Sequence, residues 1–497
     1  MSRKVGEVRV PLISKTRYLA GLQCPKLLWY HFNQPDALPP VDVATQAIFD
    51  QGKEVGTLAK TLFPKGLEVG EGVIKKIAVD ELSRAALPKR RPMFEAGFIS
   101  GCAYARADVL VPVGRDEWDV VEVKSTTKAK DVHISDLALQ RNVYEHAGLP
   151  VRRCFVMHLN NEYVRQGEID ARKLLTQTEV TAEVDEAVGD VDGALKKMVA
   201  VIGQKKAPAG DIGPQCSEPY DCPLTEMCWK SVPKHSVLTL THAGAKAFEW
   251  FHDGITHLRD LPEDISVTAK QAVQLRAVRS GRAQVDRDAL REFLDGLEYP
   301  LYFLDFETIN PAIPVWDQTR PYQQVPFQFS LHIVNKPGGK PDHHAFLADG
   351  TADPRPEILA RLQRYLGQSG SIVAYNASFE KNALRSCSEA YPAFTAWWTK
   401  TEPRVVDLLQ PFRNFDYYHP DQGGSASMKA VLPALTGKGY EDMEIADGGT
   451  ASLEFMRITF GKVTAAERKK VRAALEKYCG LDTEGMVRIV EKLAKLT

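Results

Sequence analysis

The chain has 497 residues, a length that predicts roughly two to four domains. Hydrophobic residues make up 44% of the chain and charged residues 26%, which are ordinary proportions for a globular protein. The formal net charge of −1 excludes a general electrostatic attraction to nucleic acid or to an anionic membrane. Such a partner must bind local basic patches, for which 88–92, 203–206 and 467–472 are candidates, although solvated surface side chains are the simpler explanation of each.

No apolar segment of the sequence indicates secretion or membrane insertion. The start, MSRKVGEVRVPLISK, lacks an apolar core, and no window approaches the roughly 18 apolar residues of a membrane-spanning helix. We therefore expect a cytoplasmic protein without a membrane partner, in which the eight cysteines stay reduced and clustered thiols indicate a metal site. Four cysteines lie in apolar or helical contexts and are predicted to be inert packing residues: Cys102, Cys154, Cys387 and Cys479.

Helical and strand patterns alternate in the first part of the chain, which we assign to one domain over 1–232. A helix is predicted over 43–63. A strand pair follows over 105–113 and 117–124, joined by the tripeptide GRD, and a helix then leads to a strand over 151–159. This mixture predicts an α/β or α+β domain around a small sheet.

The strand pair carries a candidate catalytic group. Side chains alternate along a strand, so Glu122 and Lys124 project to one face, and a hairpin would bring Asp108 next to Glu122. Two carboxylates can hold a hard divalent cation such as Mg²⁺ or Mn²⁺, and a nearby ammonium group can stabilise developing negative charge. A solvent-facing strand with a Glu–Lys ion pair is the alternative explanation.

The helix after the strand pair has Gln140 and Tyr144 one turn apart on one face. Together, D-x13-E-x-K and Q-x3-Y resemble the RecB-like branch of the PD-(D/E)xK phosphodiesterases. The resemblance implies Asp108 and Glu122 as metal ligands, Lys124 as electrostatic catalyst and Gln140 as a positioning group. Glu54 and Glu95 are candidates for a further upstream carboxylate.

Three cysteines form a C-x5-C-x5-C pattern at Cys216, Cys222 and Cys228. This spacing argues against a zinc ribbon, whereas a cubane cluster accepts wider loops and takes four thiolates. Cys24 lies in a comparable polar and aromatic context. One upstream and three downstream cysteines around a RecB-like core resemble the iron–sulfur nucleases of CRISPR adaptation and the AddB-type helicase-nucleases. We predict a [4Fe–4S] cluster on these four thiolates that ties together the two ends of the domain; zinc or unmetallated thiols remain alternatives.

The segment 233–295 has short helical periods that are broken at Gly254 and Pro262. We predict a small helical connector. It would either bind the DNA backbone in the manner of a helix–hairpin–helix element or serve as a packing spacer.

The last part of the chain, 296–497, is predicted as a second α/β domain. Asp305 and Glu307 share one face of an apolar strand, and burying two carboxylates together is costly unless a cation neutralises them. A strand end that faces solvent is the alternative. Near the end of the chain, Tyr478 and Asp482 lie one helical turn apart.

In order along the chain, LDFET, YNASFE, RVVDLL and YCGLDT resemble the motifs of the DnaQ-like DEDD exonucleases of the tyrosine subtype. The resemblance implies an RNase H-like fold and 3′ to 5′ trimming by two divalent ions. Tyr478 would position the attacking water, and the metal ligands would be Asp305, Glu307, Glu380 and Asp482. Glu380 replaces the family's usual aspartate, and Asp407 is not expected to be a ligand. Downstream, Ser425, Ser427 and Lys429 are candidate phosphate contacts, or a serine there caps a helix.

As a whole, the chain resembles a bacterial family that joins a RecB-like iron–sulfur nuclease domain to a DEDD-type exonuclease-like domain. GLQCPKLLW, EVKS, CPLTEMCW, LDFET, YNASFE and YCGLDT carry this resemblance. It implies a metal-dependent nuclease with two candidate active sites, for which we expect DNA rather than RNA as substrate. An inactive nucleic-acid-binding scaffold, which Glu380 and the near-neutral charge favour, and an RNA-processing exonuclease are the alternatives. The sequence identifies no protein partner.

Overall fold

The structure is a computed structural model that describes residues 2–5, 8–440, 443–445 and 447–497. The chain divides into two compact units. Unit 1 comprises Met1–Ser231 together with Pro311–Tyr322, and unit 2 comprises Val232–Asn310 together with Gln323–Thr497. Both combine helices with mixed sheets, which confirms the predicted α/β class. The segment that we predicted as a connector, 233–295, lies within unit 2. Among the described residues, no helix is both long and apolar enough to cross a bilayer.

The described part of unit 1 contains both long and very short elements. Its strands are β1 (Ser2–Val5), β2 (Val8–Pro11), β3 (Ile13–Ser14), β4 (Leu67–Glu68), β5 (Met93–Ser100), β6 (Ala103–Val113), β7 (Glu117–Val123), β8 (Val151–Leu159) and β9 (Leu175–Glu179). Its α-helices are α1 (Lys15–Gln23), α2 (Pro25–Asn33), α3 (Val43–Lys60), α4 (Lys76–Ala86), α5 (Asp131–His146), α6 (Ala171–Leu174), α7 (Thr181–Ile202) and α8 (Thr225–Cys228). Short 3₁₀ helices span Pro35–Ala37, Leu87–Lys89, Pro214–Cys216 and Trp229–Ser231.

A mixed sheet in the order β4-β5-β6-β7-β8-β9 forms the centre of unit 1, and β3 pairs in parallel with β6. The predicted hairpin is present, because β6 and β7 pair antiparallel with Val109 opposite Val121. Alternate residues of β7 enter different cores: Val120 packs with apolar residues of α5, and Val121 packs with apolar residues of α3. Glu122 therefore points to the same side of the sheet as Val120, towards α5.

The described part of unit 2 is richer in helix. Its strands are β10 (Gln284–Val285), β11 (Leu301–Ile309), β12 (Val325–Val334), β13 (Asp342–Leu347), β14 (Ile372–Ala374), β15 (Val405–Asp407) and β16 (Tyr417–Tyr418). Its α-helices are α9 (Ala245–His252), α10 (Ala269–Ser280), α11 (Arg287–Asp295), α12 (Arg355–Tyr365), α13 (Ser378–Ala390), α14 (Thr395–Thr401), α15 (Gln410–Asn414), α16 (Met428–Thr436), α17 (Gly448–Phe460) and α18 (Ala465–Ala494). Short 3₁₀ helices span Val237–Thr239, Leu258–Asp260, Pro392–Phe394, Glu402–Arg404 and Pro420–Gln422.

The main sheet of unit 2 has the order β13-β12-β11-β14-β15. β11 is antiparallel to β12 and parallel to β14. Leu301 and Phe303 of β11 share a core with Met486 and Val490 of α18. Residues two apart on a strand face the same side, so the acidic positions that follow Phe303 also face α18.

Candidate active sites and cysteine cavity

The first candidate site lies where β7 of unit 1 meets α5. The side chain of Glu122 is only 2% exposed. Lys124, directly after β7, places its Nζ 2.6 Å from Glu122 Oε1, and its backbone N–H donates to the carbonyl of Met157 at 2.8 Å. On β6, Asp108 Oδ2 accepts a hydrogen bond from the backbone N–H of Val123 at 2.7 Å. The fold thus brings the three predicted residues together at one edge of the hairpin.

The helix α5 supplies the amide that the sequence pattern predicts. Gln140 Nε2 donates to Glu122 Oε2 at 2.7 Å, and the hydroxyl of Tyr144 donates to Gln140 Oε1 at 3.3 Å. Both side chains are fully buried. The two further carboxylates considered upstream take other roles: Glu95 forms an ion pair with Arg106 at 2.8 Å, and Glu54 is exposed on α3.

Two residues of this site escaped the sequence interpretation. Lys15, the first residue of α1, places its Nζ 2.8 Å from Oε1 and 2.9 Å from Oε2 of Glu122. Asp136 of α5 accepts from Lys124 Nζ at 2.9 Å and from Gln140 Nε2 at 3.2 Å. The four-residue spacing of Asp136 and Gln140 could have identified the aspartate, whereas Lys15 has no local signal. We call Asp108, Glu122, Asp136, Lys15 and Lys124 the unit 1 cluster.

The lysines determine the protonation of this cluster. Burial, followed by the negative charge of Glu122, raises the pKa of Asp108 to about 7. Burial opposes ionisation of Glu122 as well, but the adjacent Lys124 and Lys15 hold its pKa below the usual range. Burial would lower the pKa values of both lysines, yet the surrounding carboxylates raise them above the ordinary value. The cluster is an ion-paired network in which both lysines are charged.

This arrangement leaves no room on Glu122 for a divalent cation. Oε1 accepts hydrogen bonds from Lys15 and Lys124, and Oε2 accepts from Lys15 and Gln140. Each carboxylate oxygen has two lone pairs, so all four acceptor positions are in use. A metal ion on the predicted ligand pair Asp108 and Glu122 therefore does not fit the cluster as it stands.

A second feature of unit 1 is a small cavity whose lining includes four cysteines. Cys24, which separates α1 from α2, lines it together with Cys216, Cys222 and Cys228. The backbone N–H of Cys222 donates to the carbonyl of Cys216 at 2.8 Å. Burial first, and then the three other thiols, raise the pKa of Cys222. The fold thus gathers four cysteines from distant parts of the chain, and four thiols around one cavity fit a thiophilic metal centre.

The second candidate site lies between β11 and α18 of unit 2. Asp305 and Glu307 project from β11, and the Sγ of Cys479 lies 3.7 Å from Asp305 Oδ2. One donor atom from each of these three residues falls within 4.8 Å of the others, a separation that a single metal ion could bridge. We predicted Cys479 as an inert packing residue; it is fully buried but faces this carboxylate pair.

Two further buried carboxylates act electrostatically on Asp305 and Glu307. Asp482 of α18 accepts a hydrogen bond from the hydroxyl of Tyr440 at 2.5 Å, and Tyr478 is buried one turn earlier on the helix. Glu380 of α13 is 3% exposed, and its Oε2 has no hydrogen-bond partner among the described residues. The negative charge of Glu380 contributes to the raised pKa values of Asp305 and Glu307, and we include it in the cluster on that ground. We call Asp305, Glu307, Glu380 and Asp482 the unit 2 cluster.

Burial and mutual repulsion raise the pKa values of the carboxyl groups in this cluster. Burial, followed by the charges of Asp482, Glu307 and Glu380, raises the pKa of Asp305 well above its usual value. Burial is also the main cause that raises the pKa values of Glu307 and Glu380 to about 8 and that of Asp482 to about 6. Hydrogen bonds from Tyr440 and Tyr478 act in the opposite direction on Asp482.

The unit 2 cluster fits hard divalent cations. Among the described residues, no lysine or arginine forms an ion pair with any of its four carboxylates; Lys429 is exposed and acts on Glu307 and Asp482 from a greater distance. Four carboxylates, three of them at most 5% exposed, offer oxygen ligands of the kind that Mg²⁺ and Mn²⁺ prefer. The buried Oε2 of Glu380, which accepts no hydrogen bond from the described residues, is available to bind such a cation.

The remaining predicted positions have local roles. Asp407 Oδ1 accepts from the backbone N–H groups of Asn376 at 2.9 Å and Leu409 at 3.0 Å. Ser425 and Ser427 bond each other at 3.0 Å, and Ser427 occupies the N-cap position of α16. Tyr440, which the sequence interpretation did not single out, reaches the cluster from the segment after α16.

Comparisons with known proteins identify a domain but no activity. A protein-family model described as a domain of unknown function, DUF2779, matches residues 302–427, a range that includes Asp305, Glu307 and Glu380 but not Asp482. No curated protein matches the chain at a significant level. A solved structure titled "Crystal structure of SSO0001" is 12% identical and has a TM-score of 0.22. The alignment covers 46% of this chain and 90% of that chain, and a similarity this weak does not define a fold.

Proposed function

We propose that this protein is a metal-dependent nuclease that hydrolyses phosphodiester bonds of DNA at the unit 2 cluster. The observation that carries the proposal is the close pair of Asp305 and Glu307, on which the buried Asp482 and Glu380 act electrostatically, with no ion-paired lysine or arginine among the described residues. In this proposal unit 2 has the RNase H-like fold of the DEDD exonucleases and trims strands from the 3′ end. Unit 1 has the RecB-like PD-(D/E)xK fold.

The four carboxylates would hold two divalent cations, Mg²⁺ or Mn²⁺, which when bound stabilise both the attacking and the leaving oxygen of an in-line displacement. Tyr478 lies one turn before Asp482, and burial, followed by the charge of Asp482, raises its pKa, so the hydroxyl keeps its proton and can orient a water molecule. Tyr440 fixes one oxygen of Asp482. Lys429 is exposed and available to a substrate phosphate.

Hydrolysis is assigned to unit 2 and not to unit 1 because the two clusters differ in free ligand atoms. All four acceptor positions of Glu122 are engaged by Lys15, Lys124 and Gln140. By contrast, Glu380 Oε2 lacks a hydrogen-bond partner in the described part of the chain. We further propose that the cysteine cavity of unit 1 holds a [4Fe–4S] cluster, which would link the helices α1 and α2 to the segment 216–228.

The test is hydrolysis of end-labelled single- and double-stranded DNA by the iron-loaded protein with Mg²⁺ or Mn²⁺. We expect Asp305→Asn to lower the rate of hydrolysis by roughly a thousandfold or more. The change removes a ligand of the metal ions that would stabilise both the attacking and the leaving oxygen. Glu122→Gln should retain the rate within about threefold, provided that the variant remains folded.

The outcomes separate the alternatives. If Glu122→Gln abolishes hydrolysis and Asp305→Asn does not, the assignment to unit 2 is wrong. Cleavage of RNA alone would replace the proposal by an RNA-processing exonuclease. If neither polymer is cut, a nucleic-acid-binding scaffold that keeps the folds without hydrolysis becomes the better explanation.

A further inference from the structure

Lys15 is fixed at the centre of the unit 1 cluster by the backbone around it. The preceding residue, Ser14, pairs with Tyr104 of β6, and the N–H of Ile13 donates to the carbonyl of Cys102 at 2.8 Å. β6 carries Asp108 and pairs with β7, so Lys15 starts from the same sheet as Glu122, its closest partner. Its side chain is 21% exposed, which distinguishes it from a solvated surface lysine.

The far end of α1 is held as well. Gln23, the last residue of the helix, donates from Nε2 to the carbonyls of Gln215 at 2.8 Å and Tyr220 at 2.6 Å. Both carbonyls belong to the segment that carries Cys216 and Cys222. With both ends of α1 anchored, the backbone of Lys15 is held at a fixed place beside the cluster.

The ammonium group of Lys15 makes the contacts that a bound cation would make. Its Nζ lies nearly equidistant from the two oxygens of Glu122, at 2.8 and 2.9 Å, and 3.6 Å from Asp136 Oδ1. This symmetric contact with both oxygens is the one that a bidentate metal ion would make. Lys124 bridges the same two residues, because its Nζ donates to Glu122 Oε1 and to Asp136 Oδ2. The buried negative charges on Glu122 and Asp136 are therefore matched by two ammonium groups.

We infer that Lys15 is the resident cation of the unit 1 cluster and that its ammonium group excludes a divalent metal ion from Glu122. A divalent ion would have to displace Lys15 from two hydrogen bonds and then sit beside both a displaced lysine and Lys124. This inference concerns the metal content of unit 1 and does not depend on hydrolysis in unit 2.

The test measures Mn²⁺ binding to the full-length, iron-loaded protein by electron paramagnetic resonance of the free ion. Asp305→Asn and Asp482→Asn are introduced first, so that unit 2 contributes as little binding as possible. In this background we expect no Mn²⁺ at the unit 1 cluster. Adding Lys15→Met should create one further Mn²⁺ site per chain. This site should bind Mn²⁺ at least about tenfold more tightly than the residual sites of the background variant do.

Two matched variants distinguish the charge of Lys15 from its packing. Lys15→Arg keeps a cation beside Glu122 and should bind no more Mn²⁺ than the background. Lys53→Met removes an exposed lysine that pairs with Asp50 on α3 and should also leave binding unchanged. A new site in either variant would contradict the inference.

A second measurement keeps the inference testable if Lys15→Met does not fold. With Lys15 in place, Glu122→Gln should not change the number of Mn²⁺ ions bound by the background variant, because Glu122 is not a ligand there. Loss of a bound ion on that change would overturn the inference. So would a folded Lys15→Met variant that gains no site.

Discussion

The two carboxylate clusters are built on the same plan but are neutralised differently. In each unit an apolar residue on a central strand is followed two positions later by an acid that faces a helix: Val120 and Glu122 towards α5, and Phe303 and Asp305 towards α18. In unit 1 two ammonium groups lie within 2.9 Å of Glu122. In the described part of unit 2 no ammonium group pairs with the acids: Asp482 accepts from a tyrosine hydroxyl, Asp305 lies beside a thiol, and Lys429 acts from a greater distance.

This difference teaches that the acidic motif alone does not define a metal site. A carboxylate that is already paired with lysine is satisfied without a metal, and removing the charge of Glu122 leaves its two lysines with Asp136 as their remaining ion-pair partner. Carboxylates whose neighbours are other carboxylates and neutral donors repel one another when they ionise. A bound divalent cation offsets that repulsion. The comparison therefore predicts opposite responses of the two units to the same chemical change.

The largest expected effect is on stability. Glu122→Gln should destabilise unit 1 by about 3 kcal/mol, because two partly buried lysines lose one of the two carboxylates that they share. Glu307→Gln should leave unit 2 unchanged or stabilise it by about 1 kcal/mol, because it removes one of four repelling acids. Hydrogen exchange of peptides from β7 and β11, measured in chelator, reports each unit separately. Destabilisation of both units to the same extent would remove the contrast that we draw between the clusters.

The difference between the two clusters could be predicted from the sequence only where the residues in contact are close together along the chain. The hairpin of β6 and β7 and the helix face of Gln140 follow from periods of two and of three to four residues, which are local rules. Lys15 reaches Glu122 only because β3 pairs with β6 over two residues, Ile13 and Ser14. A pairing that short leaves no pattern in the sequence, so the lysine that decides the chemistry of unit 1 could not be predicted.

The same reasoning applies to unit 2. The spacing of Asp305 with Glu307 and of Tyr478 with Asp482 identified acids that the fold brings together. Tyr440 approaches Asp482 from a segment without regular periodicity, and Cys479 looked like an ordinary helical packing residue. Periodicity indicates which face of an element a residue occupies but not which neighbour it meets there.

The cysteine cavity offers a second way to sharpen the contrast. Cys24→Ala should abolish the brown colour and the bound iron, and lower the unfolding temperature of unit 1 by about 10 °C, because the cluster would link α1 to the segment 216–228. Unit 2 should keep its hydrogen-exchange protection. Cys102→Ala changes a half-buried thiol that does not line the cavity and is the matched control. Full retention of iron by Cys24→Ala would rule out Cys24 as a ligand.

Opposite pH responses follow from the ionisation of Glu307 and Glu122. The pKa of Glu307 is raised from 4.5 to about 8, so the folded state of unit 2 binds the proton more tightly than the unfolded state and loses stability as the pH rises from about 4.5 to 8. The pKa of Glu122 is lowered, so its stabilisation of unit 1 is present above pH 4.5 and is lost as the pH falls below that value.

Hydrogen exchange in chelator at pH 5 and pH 8 tests this contrast. We expect unit 2 to be less stable at pH 8 by roughly 2 kcal/mol. Unit 1 should also lose stability between pH 5 and about 7, because the pKa of Asp108 is raised to about 7, whereas the contribution of Glu122 stays constant over this interval. Mn²⁺ should abolish the loss in unit 2, because a bound cation stabilises the ionised carboxylates. A loss that persists at saturating Mn²⁺ would mean that these acids do not bind the ion.

The smallest expected effect is that of removing the Tyr440 hydroxyl. This neutral group donates to Asp482 in unit 2, whereas an ammonium group donates to Glu122 in unit 1. Tyr440→Phe removes the hydroxyl that donates to Asp482 Oδ1, and without it the pKa of Asp482 should rise above about 6. We expect the acidic limb of the pH–rate profile to move upward by about half a pH unit and the rate at pH 7 to fall about threefold. Tyr391→Phe, which removes a hydroxyl that donates to Asp353 in the same unit, should change neither quantity. A shift of that size supports the idea that a hydroxyl tunes Asp482 while leaving its second oxygen open to a cation, whereas the ammonium group of Lys15 occupies both oxygens of Glu122.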